Sequence, residues 1–300
     1  MATTEGFFSF VDGRTWFRVT GAITPSSTPL IVAHGGPGAT HDYLDSLQYL
    51  ERPGRPVVHY DQFGCGNSTR HPERDATFFT VELFLQELDA LLVHLGVADR
   101  YHLLGQSWGG MLAAEHAIRQ PRGLRGLILS NSPAAMSLWV AEATRLRAAM
   151  PLAIRDALDR HEAAGTLDDE EYLAATQAFY DRHVCRVVPN PPEVQRSFAS
   201  LAQDPTVYRA MNGPNEFYCI GSLKTWSVID RVHDIVARTL VISGQFDEAT
   251  PLTVAPYVEK IPHARWELFE QSSHMPFVEE PARYESVVDK FLKHVEEGTV

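Results

Sequence analysis

Short apolar runs alternate with stretches in which apolar residues recur every three or four positions. A short apolar run bounded by turn residues is typical of a buried strand. Runs of this kind occur at residues 30–33, 57–60, 101–104, 127–129, 240–243 and 266–269. The chain opens with two further strand-like segments, residues 7–11 and 15–19, which flank the turn pair Asp12-Gly13 and predict a hairpin.

Helical spacing predicts helices between several of these strands. In residues 81–95 the apolar positions fall on one helical face, and residues 111–118 and 284–295 show the same periodicity. Strands that alternate with helices favour a mostly parallel sheet with helices on both faces. The sequence therefore predicts the α/β class.

The alternation is interrupted at residues 133–235, where helical periodicity dominates and strand signals are few. The clearest predicted helices there are residues 141–164 and 169–183, and the strand pattern resumes at Thr239. We predict a core formed by residues 1–132 and 236–300, with 133–235 inserted as a helical cap. An independent second domain is the alternative, but the later strands need the earlier ones to complete a sheet.

Composition narrows the class of protein. The 300 residues are 44% apolar and 21% charged, with a formal net charge of −12, which is ordinary for a soluble globular protein. The negative charge argues against a nucleic-acid partner and against an anionic membrane surface. The sequence has three scattered cysteines without a C-x-x-C pair, and it shows neither a signal peptide pattern nor a long apolar run. These features favour a cytoplasmic location.

Residues 105–110, which read Gly-Gln-Ser-Trp-Gly-Gly, carry the strongest chemical signal. The motif follows a predicted strand and precedes a predicted helix, which is the setting of a nucleophile elbow. We predict that Ser107 is a nucleophile at this turn. A glycine-rich turn with a capping serine is the alternative interpretation.

A serine nucleophile needs a base, and the base needs a group that orients it. In this architecture the chain order is Ser, then an acid, then His. Asp247 and His274 follow the predicted strands 240–243 and 266–269, so both fall at the carboxyl edge of the sheet, where Ser107 also lies. We predict the catalytic set Ser107, Asp247 and His274.

The segment His34-Gly35-Gly36-Pro37-Gly38 follows another predicted strand and predicts an oxyanion loop. Hydrolases of this architecture take one N–H donor from this loop and one from the residue after the nucleophile. We assign these donors to Gly36 and Trp108. No H-E-x-x-H pattern occurs, although His161-Glu162 begins one, and we expect no metal and no other cofactor.

Residues 34–38, 60–68, 105–110 and 211–217 together resemble the proline iminopeptidases (prolyl aminopeptidases) of the α/β-hydrolase superfamily. The likeness runs over nearly the whole chain. Phe63 departs from the pattern, since many members have an arginine or another residue there. The resemblance implies an α/β-hydrolase fold, a serine peptidase with an acyl-enzyme, and release of an N-terminal residue, often proline, from peptides or amides.

The resemblance further implies that Glu216 and Glu248 hold the substrate's free amino group. A buried ammonium requires an opposite charge. Two carboxylates at a fixed distance from Ser107 would also let only the first peptide bond reach the nucleophile. For the apolar pocket that proline needs, the candidates are Trp139, Phe217, Phe246 and Phe277.

Two other functions fit the same residues. An amidase or esterase that removes an aminoacyl group from a small molecule or secondary metabolite would use identical chemistry with another leaving group. A ligand receptor would reuse the fold without turnover. The predicted partner is in every case a small peptide or amino-acid amide, and the sequence gives no oligomeric state.

Overall fold

The computed structural model describes residues 2–298, and this part of the chain contains an eight-stranded sheet with the order β1-β2-β4-β3-β5-β6-β7-β8. The first two strands form the predicted hairpin, and strands β3 to β8 run parallel. The predicted α/β class is thus confirmed. The strands are β1 Thr3–Phe10, β2 Gly13–Thr20, β3 Leu30–Ala33, β4 Val57–Asp61, β5 Tyr101–Gln106, β6 Leu124–Ser130, β7 Arg238–Gly244 and β8 Ala264–Phe269.

Helices cover the sheet and fill the interval between β6 and β7. Those of the described chain are α1 Val81–His94, α2 Trp108–Ile118, α3 Met136–Ala148, α4 Leu152–Ala164, α5 Glu170–His183, α6 Pro192–Gln203, α7 Thr206–Met211, α8 Pro251–Lys260, α9 Pro276–Glu279 and α10 Pro281–Glu297. The predicted helices 81–95, 111–118, 169–183 and 284–295 correspond to α1, α2, α5 and α10. No helix within residues 2–298 combines the length and apolar character needed to cross a bilayer.

The core lies between the central strands and the helices that pack on them. Every residue of β3, β4 and β5 is buried. Leu88 and Leu91 of α1 and Ala113 and Ala117 of α2 belong to the same apolar cluster as the strand residue Leu103. Strands buried on both faces have near-continuous apolar runs, which explains why these runs could be recognised in the sequence.

The prediction of one helix over residues 141–164 is wrong. Helix α3 ends at Ala148, and α4 begins at Leu152 after Pro151. Proline has no N–H and disfavours helical geometry in the residue before it, and Pro151 itself is extended with φ −53° and ψ 145°, so the helix is interrupted here. Apolar periodicity on both sides of Pro151 concealed the break.

The helices between β6 and β7 leave and rejoin the core at one place. Ala135 pairs with Ser227 in an isolated antiparallel bridge. Met136 N–H donates to the Trp226 carbonyl at 2.9 Å, and Val228 N–H donates to the Ala134 carbonyl at 3.0 Å. These contacts between residues 134–136 and 226–228 hold both ends of the helical segment together after the carboxyl end of β6.

Candidate active site

Ser107 lies on a sharp turn between β5 and α2. Its backbone has φ 56° and ψ −124°, a conformation that costs free energy for a residue with a side chain. A Cβ at Gly105 would lie 2.0 Å from the Gly109 carbonyl oxygen, and a Cβ at Gly109 would lie 2.1 Å from the Ala33 carbonyl oxygen. Only glycine therefore lets the strand and the helix approach closely enough to form the turn.

His274 and Asp247 meet beside this turn. His274 Nδ1 lies 2.7 Å from Asp247 Oδ1, and both side chains are buried. An ionised carboxylate only accepts, so Nδ1 carries the proton and Nε2 is free to act as a base. Burial lowers the pKa of His274, but the Asp247 carboxylate, aided by Glu216 and Glu279, outweighs it and raises that pKa overall.

Asn131 orients Asp247 from the end of β6 and was not recognised from the sequence. Its Nδ2 donates to Asp247 Oδ2 at 2.6 Å, and Ala249 N–H donates to Asp247 Oδ1 at 2.8 Å. Asn131 has φ 53°, a left-handed backbone that asparagine tolerates better than most residues. Its position directly after a predicted strand, beside the carboxyl edge of the sheet, was the available signal.

Two adjoining pockets meet at Ser107. The base-side pocket is lined by Ser107, His274, Glu216 and Glu248, with apolar walls from Val184, Val194, Phe198, Leu201 and Met275. The methionine pocket is lined by Ser107, Trp108 and Glu216, with Met111, Met136, Trp139 and Leu223. Ser107 and Glu216 line both pockets, so a ligand at the serine would lie within reach of that carboxylate.

The two assigned oxyanion donors flank the serine. Gly36 lines both pockets, and Trp108 lines the methionine pocket. Gly36 has φ 109°, and a Cβ there would lie 2.6 Å from the backbone nitrogens of Gly38 and Ala39. Trp108 is the first residue of α2, and the first N–H groups of a helix have no acceptor within it. Both residues therefore line pockets that Ser107 also lines.

Gln62 joins the two oxyanion segments and was also missed as a functional residue. Its Nε2 donates to the His34 carbonyl at 2.7 Å, and its Oε1 accepts from Trp108 Nε1 at 2.8 Å. The sequence placed Gln62 in the segment 60–68 but gave no reason to link it to Trp108, because that contact depends on how β3, β4 and α2 are arranged.

Glu216 and Glu248 both line the base-side pocket, but Glu216 is half-buried and Glu248 is buried, and their surroundings differ. Glu216 Oε1 accepts a hydrogen bond from the Tyr208 hydroxyl at 2.7 Å. Glu248 is 1% exposed, and neither of its oxygens accepts a hydrogen bond from any described residue. Its Oε1 lies 3.9 Å from His274 Nε2.

Burial raises the pKa of both glutamates. For Glu216 the Tyr208 hydroxyl and His274 oppose the shift, whereas for Glu248 the charges of Glu216 and Asp247 add to it. Two facing buried carboxyl groups are costly unless a proton or a cation neutralises them. The base-side pocket therefore has the electrostatics of a site for a small cation.

Of the four aromatic residues predicted to line the substrate pocket, Trp139 lies there. Its ring meets that of His274 edge to face, with centroids 5.9 Å apart. The prediction is corrected for the other three, which line neither pocket at Ser107. Phe217 packs on Phe179 in the helical segment, Phe277 packs on Tyr284 in the core, and Phe246 is 40% exposed beneath Arg186. Aromatic residues close to a site in sequence are often drawn into apolar packing instead.

Among the described residues, His161, Asp169 and Glu171 form a group whose ligand atoms lie within 4.8 Å of one another. Glu171 already pairs with Arg160, and both acids are exposed. None of the three lines a pocket at Ser107, so the group has no link to the chemistry of that site.

The sheet order, the turn that carries Ser107 and the pairing of His274 with Asp247 define an α/β hydrolase. The family model described as alpha/beta hydrolase fold matches residues 28–281.

A proline iminopeptidase from Clostridium botulinum is 39% identical over 294 residues, which cover 97% of this chain and 99% of that protein. Two solved structures are closer in sequence. The crystal structure of VinJ is 51% identical with a TM-score of 0.95, covering 97% of this chain and 99% of that one. The crystal structure of a proline iminopeptidase from Mycobacterium smegmatis is 49% identical with a TM-score of 0.91, covering 99% and 100%. The chain therefore belongs to the proline iminopeptidase family, as its resemblance implied.

Proposed function

We propose that the protein is a serine exopeptidase that releases an N-terminal residue, preferably proline, from peptides or amides. The observation that carries the proposal is the pair of carboxyl groups, the half-buried Glu216 and the buried Glu248, in the pocket that Ser107 and His274 also line. Family membership supports the same activity, since the C. botulinum and M. smegmatis relatives carry the name proline iminopeptidase.

In the acylation step Ser107 Oγ attacks the carbonyl carbon of the first residue while His274 Nε2 takes the serine proton. Asp247 holds the opposite ring nitrogen and stabilises the imidazolium that forms. The N–H groups of Gly36 and Trp108 donate to the oxygen of the tetrahedral intermediate. The imidazolium then gives its proton to the departing amine, which leaves the aminoacyl group esterified to Ser107.

In the deacylation step His274 accepts a proton from water as the water attacks the ester carbon. Collapse of the second tetrahedral intermediate returns this proton to Ser107 and frees the amino acid. No group beyond the chain and water takes part, so a chelator should leave the rate unchanged.

Glu216 and Glu248 bind the ammonium of the substrate's N-terminus. The Tyr208 hydroxyl occupies one side of the Glu216 carboxyl group, whereas Glu248 is without a donor among the described residues, so the ammonium supplies its missing partner. Because the ammonium is one carbon away from the scissile carbonyl, an internal peptide bond cannot satisfy both contacts. This limits cleavage to the first bond.

Residues 133–235 serve as a cap that closes the site and excludes water. The proposal is supported by Trp139 and Glu216, which belong to this segment and line the pockets at Ser107. The substrate is a small peptide or amino-acid amide. A cytoplasmic location is proposed as well, on the ground that Cys65, Cys185 and Cys219 are all free thiols.

Turnover of L-proline p-nitroanilide by the wild type and by Ser107→Ala tests the proposal. The wild type should release p-nitroaniline, and the variant should lose about 10⁴-fold or more in kcat while keeping its thermal unfolding midpoint. Near-normal turnover by a folded Ser107→Ala protein would show that another group is the nucleophile. A wild type that fails to cleave the amide would refute the activity itself.

A second candidate function is an amidase that removes an aminoacyl group from a small molecule. It is favoured by the apolar wall of the base-side pocket, where Val194, Phe198 and Leu201 offer no side-chain hydrogen bonds to a peptide backbone. Comparing kcat/KM for prolyl-glycine and for the proline amide of a long alkyl amine separates the two functions. Higher efficiency on the dipeptide supports the peptidase, and higher efficiency on the alkyl amide supports the amidase.

A further inference from the structure

Gln106 is the last residue of β5, immediately before Ser107, and the proposed chemistry gives it no role. Its side chain is 1% exposed and makes two hydrogen bonds. Nε2 donates to the backbone carbonyl of His274 at 3.1 Å, and Oε1 accepts from the Tyr43 hydroxyl at 2.5 Å. One amide group thus connects the strand that ends at the serine with the backbone of the histidine.

Tyr43 extends this connection to the oxyanion loop. Its hydroxyl oxygen accepts a hydrogen bond from Gly35 N–H at 2.6 Å. A Cβ placed on Gly35 would lie 2.9 Å from both Gln106 Oε1 and Ser107 Cβ. The loop before Gly36, the serine turn and the His274 backbone are therefore in direct contact through one buried amide and one buried hydroxyl.

The hydrogen-bond inventory requires an amide at this position. Because the Tyr43 hydroxyl accepts from Gly35, its own proton must go to an acceptor, and Gln106 Oε1 is that acceptor. The His274 carbonyl can only accept, so the other atom of Gln106 must be a donor. An ionised glutamate would lack that donor, and a methionine of similar length would provide neither contact.

We propose that Gln106 is a positioning residue, which fixes the distances between Ser107, His274 and the oxyanion loop. The inference rests on the proposed function, since it concerns how fast that reaction proceeds. Gln106 and Tyr43 also line the base-side pocket, but their polar atoms are engaged with the His274 carbonyl, with each other and with Gly35 N–H. In the proposed function the ammonium contacts are made by Glu216 and Glu248. Loss of Gln106 should therefore lower kcat, while KM stays close to that of the wild type.

The expected effect is large because a displacement of about 1 Å between reacting groups can cost roughly 10²-fold in rate. Gln106→Met should lose about 10²-fold in kcat, since both contacts are removed. Tyr43→Phe should lose less, because Gln106 can still donate to the His274 carbonyl, although Gly35 N–H loses its acceptor and Gln106 Oε1 loses its donor.

The test measures kcat and KM for L-proline p-nitroanilide, with active sites counted by titration with a fluorophosphonate. Tyr101→Phe is the matched control, since it also removes a buried tyrosine hydroxyl contact, to His116 at 2.5 Å, and neither Tyr101 nor His116 lines either pocket. It should match the wild type in kcat per titrated site.

A second measurement reports on the transition state. A proline boronic acid forms a tetrahedral adduct with the serine, and its inhibition of both site variants should weaken in proportion to the loss in kcat. Inhibition by L-proline, which forms no such adduct, should stay unchanged.

The proposal would be overturned if Gln106→Met kept the wild-type kcat per titrated site. It would also be overturned if inhibition by the boronic acid and inhibition by L-proline weakened equally. If Gln106→Met does not fold, Tyr43→Phe, which keeps the ring, decides on the same two criteria. These outcomes leave the proposed function intact, because that function depends on wild-type turnover of the amide.

Discussion

Glu248 costs the folded protein stability because its carboxyl group is buried beside Glu216 and Asp247 without a hydrogen-bond donor among the described residues. A pKa raised by folding means that the native state holds this proton more tightly than the unfolded chain does. The stabilising effect of that proton is complete below the unfolded pKa, near 4.3, and is lost as pH rises through the higher folded pKa.

Glu248→Gln should therefore stabilise the protein against unfolding above that window and do little at low pH. The measurement is the urea midpoint of the wild type and the variant at several pH values. Catalytic efficiency on a free N-terminus should fall at the same time, because one of the two ammonium contacts is lost. A variant no more stable than the wild type at high pH would contradict the idea that the buried, ionised Glu248 carboxylate destabilises the fold.

His274 sets the acidic side of the activity profile. The neutral ring is the base, and its pKa is raised above the ordinary 6.5 by Asp247, Glu216 and Glu279, with Glu248 Oε1 3.9 Å from Nε2. Since the ring must lose its proton to act, kcat/KM should rise with pH through a value above 6.5. It should fall again as the substrate ammonium deprotonates.

Asp247→Asn should move the acidic limb to lower pH and reduce kcat by about 10⁴-fold, because the carboxylate that holds the proton on Nδ1 is lost. The check is the pH dependence of kcat/KM for the wild type and the variant on one proline amide. An acidic limb at the same pH in both proteins would show that Asp247 does not set the pKa of His274.

At the scale of elements, β5, the Ser107 turn and α2 could be predicted because each has a local signal. The strand is buried on both faces, glycines flank the serine, and α2 follows without a break. Helix α8 was missed, since Pro251 and Pro256 in ten residues argue against a helix. Pro251 is tolerated at the helix start, where its missing N–H has no acceptor in any case.

Gly109→Ala tests the packing of β3 against α2. The added Cβ would lie 2.1 Å from the Ala33 carbonyl oxygen, so the helix must shift away from the strand. We expect a loss of about 1–3 kcal/mol in the free energy of unfolding, with activity lost as well. Urea unfolding of the wild type and the variant measures this loss, and a variant as stable as the wild type would contradict this packing argument.

At the scale of the whole molecule, motif order predicted which residues would converge on the sheet edge. Ser107, Asp247 and His274 are far apart in sequence but follow strands whose carboxyl ends share that edge. Contacts that cross between elements could not be predicted in this way. The bonds of Asn131 to Asp247, of Gln62 to Trp108 and of Gln106 to the His274 backbone depend on strand register and loop path. The positions of Phe217 and Phe277 away from the two pockets could not be predicted for the same reason, because packing around them is set by distant residues.

We infer that two carboxyl groups, Glu216 and Glu248, select a free N-terminus for attack by Ser107. This selectivity is tested most directly by kcat/KM of the wild type for L-proline p-nitroanilide and for its N-acetylated form. The acetylated substrate leaves the buried carboxyl groups without a cation, a loss of about 3–5 kcal/mol. We predict that it is cleaved roughly 10²–10⁴-fold less efficiently than the free amine. Equal efficiency on the two substrates would contradict the claim and identify the protein as a general amidase or esterase.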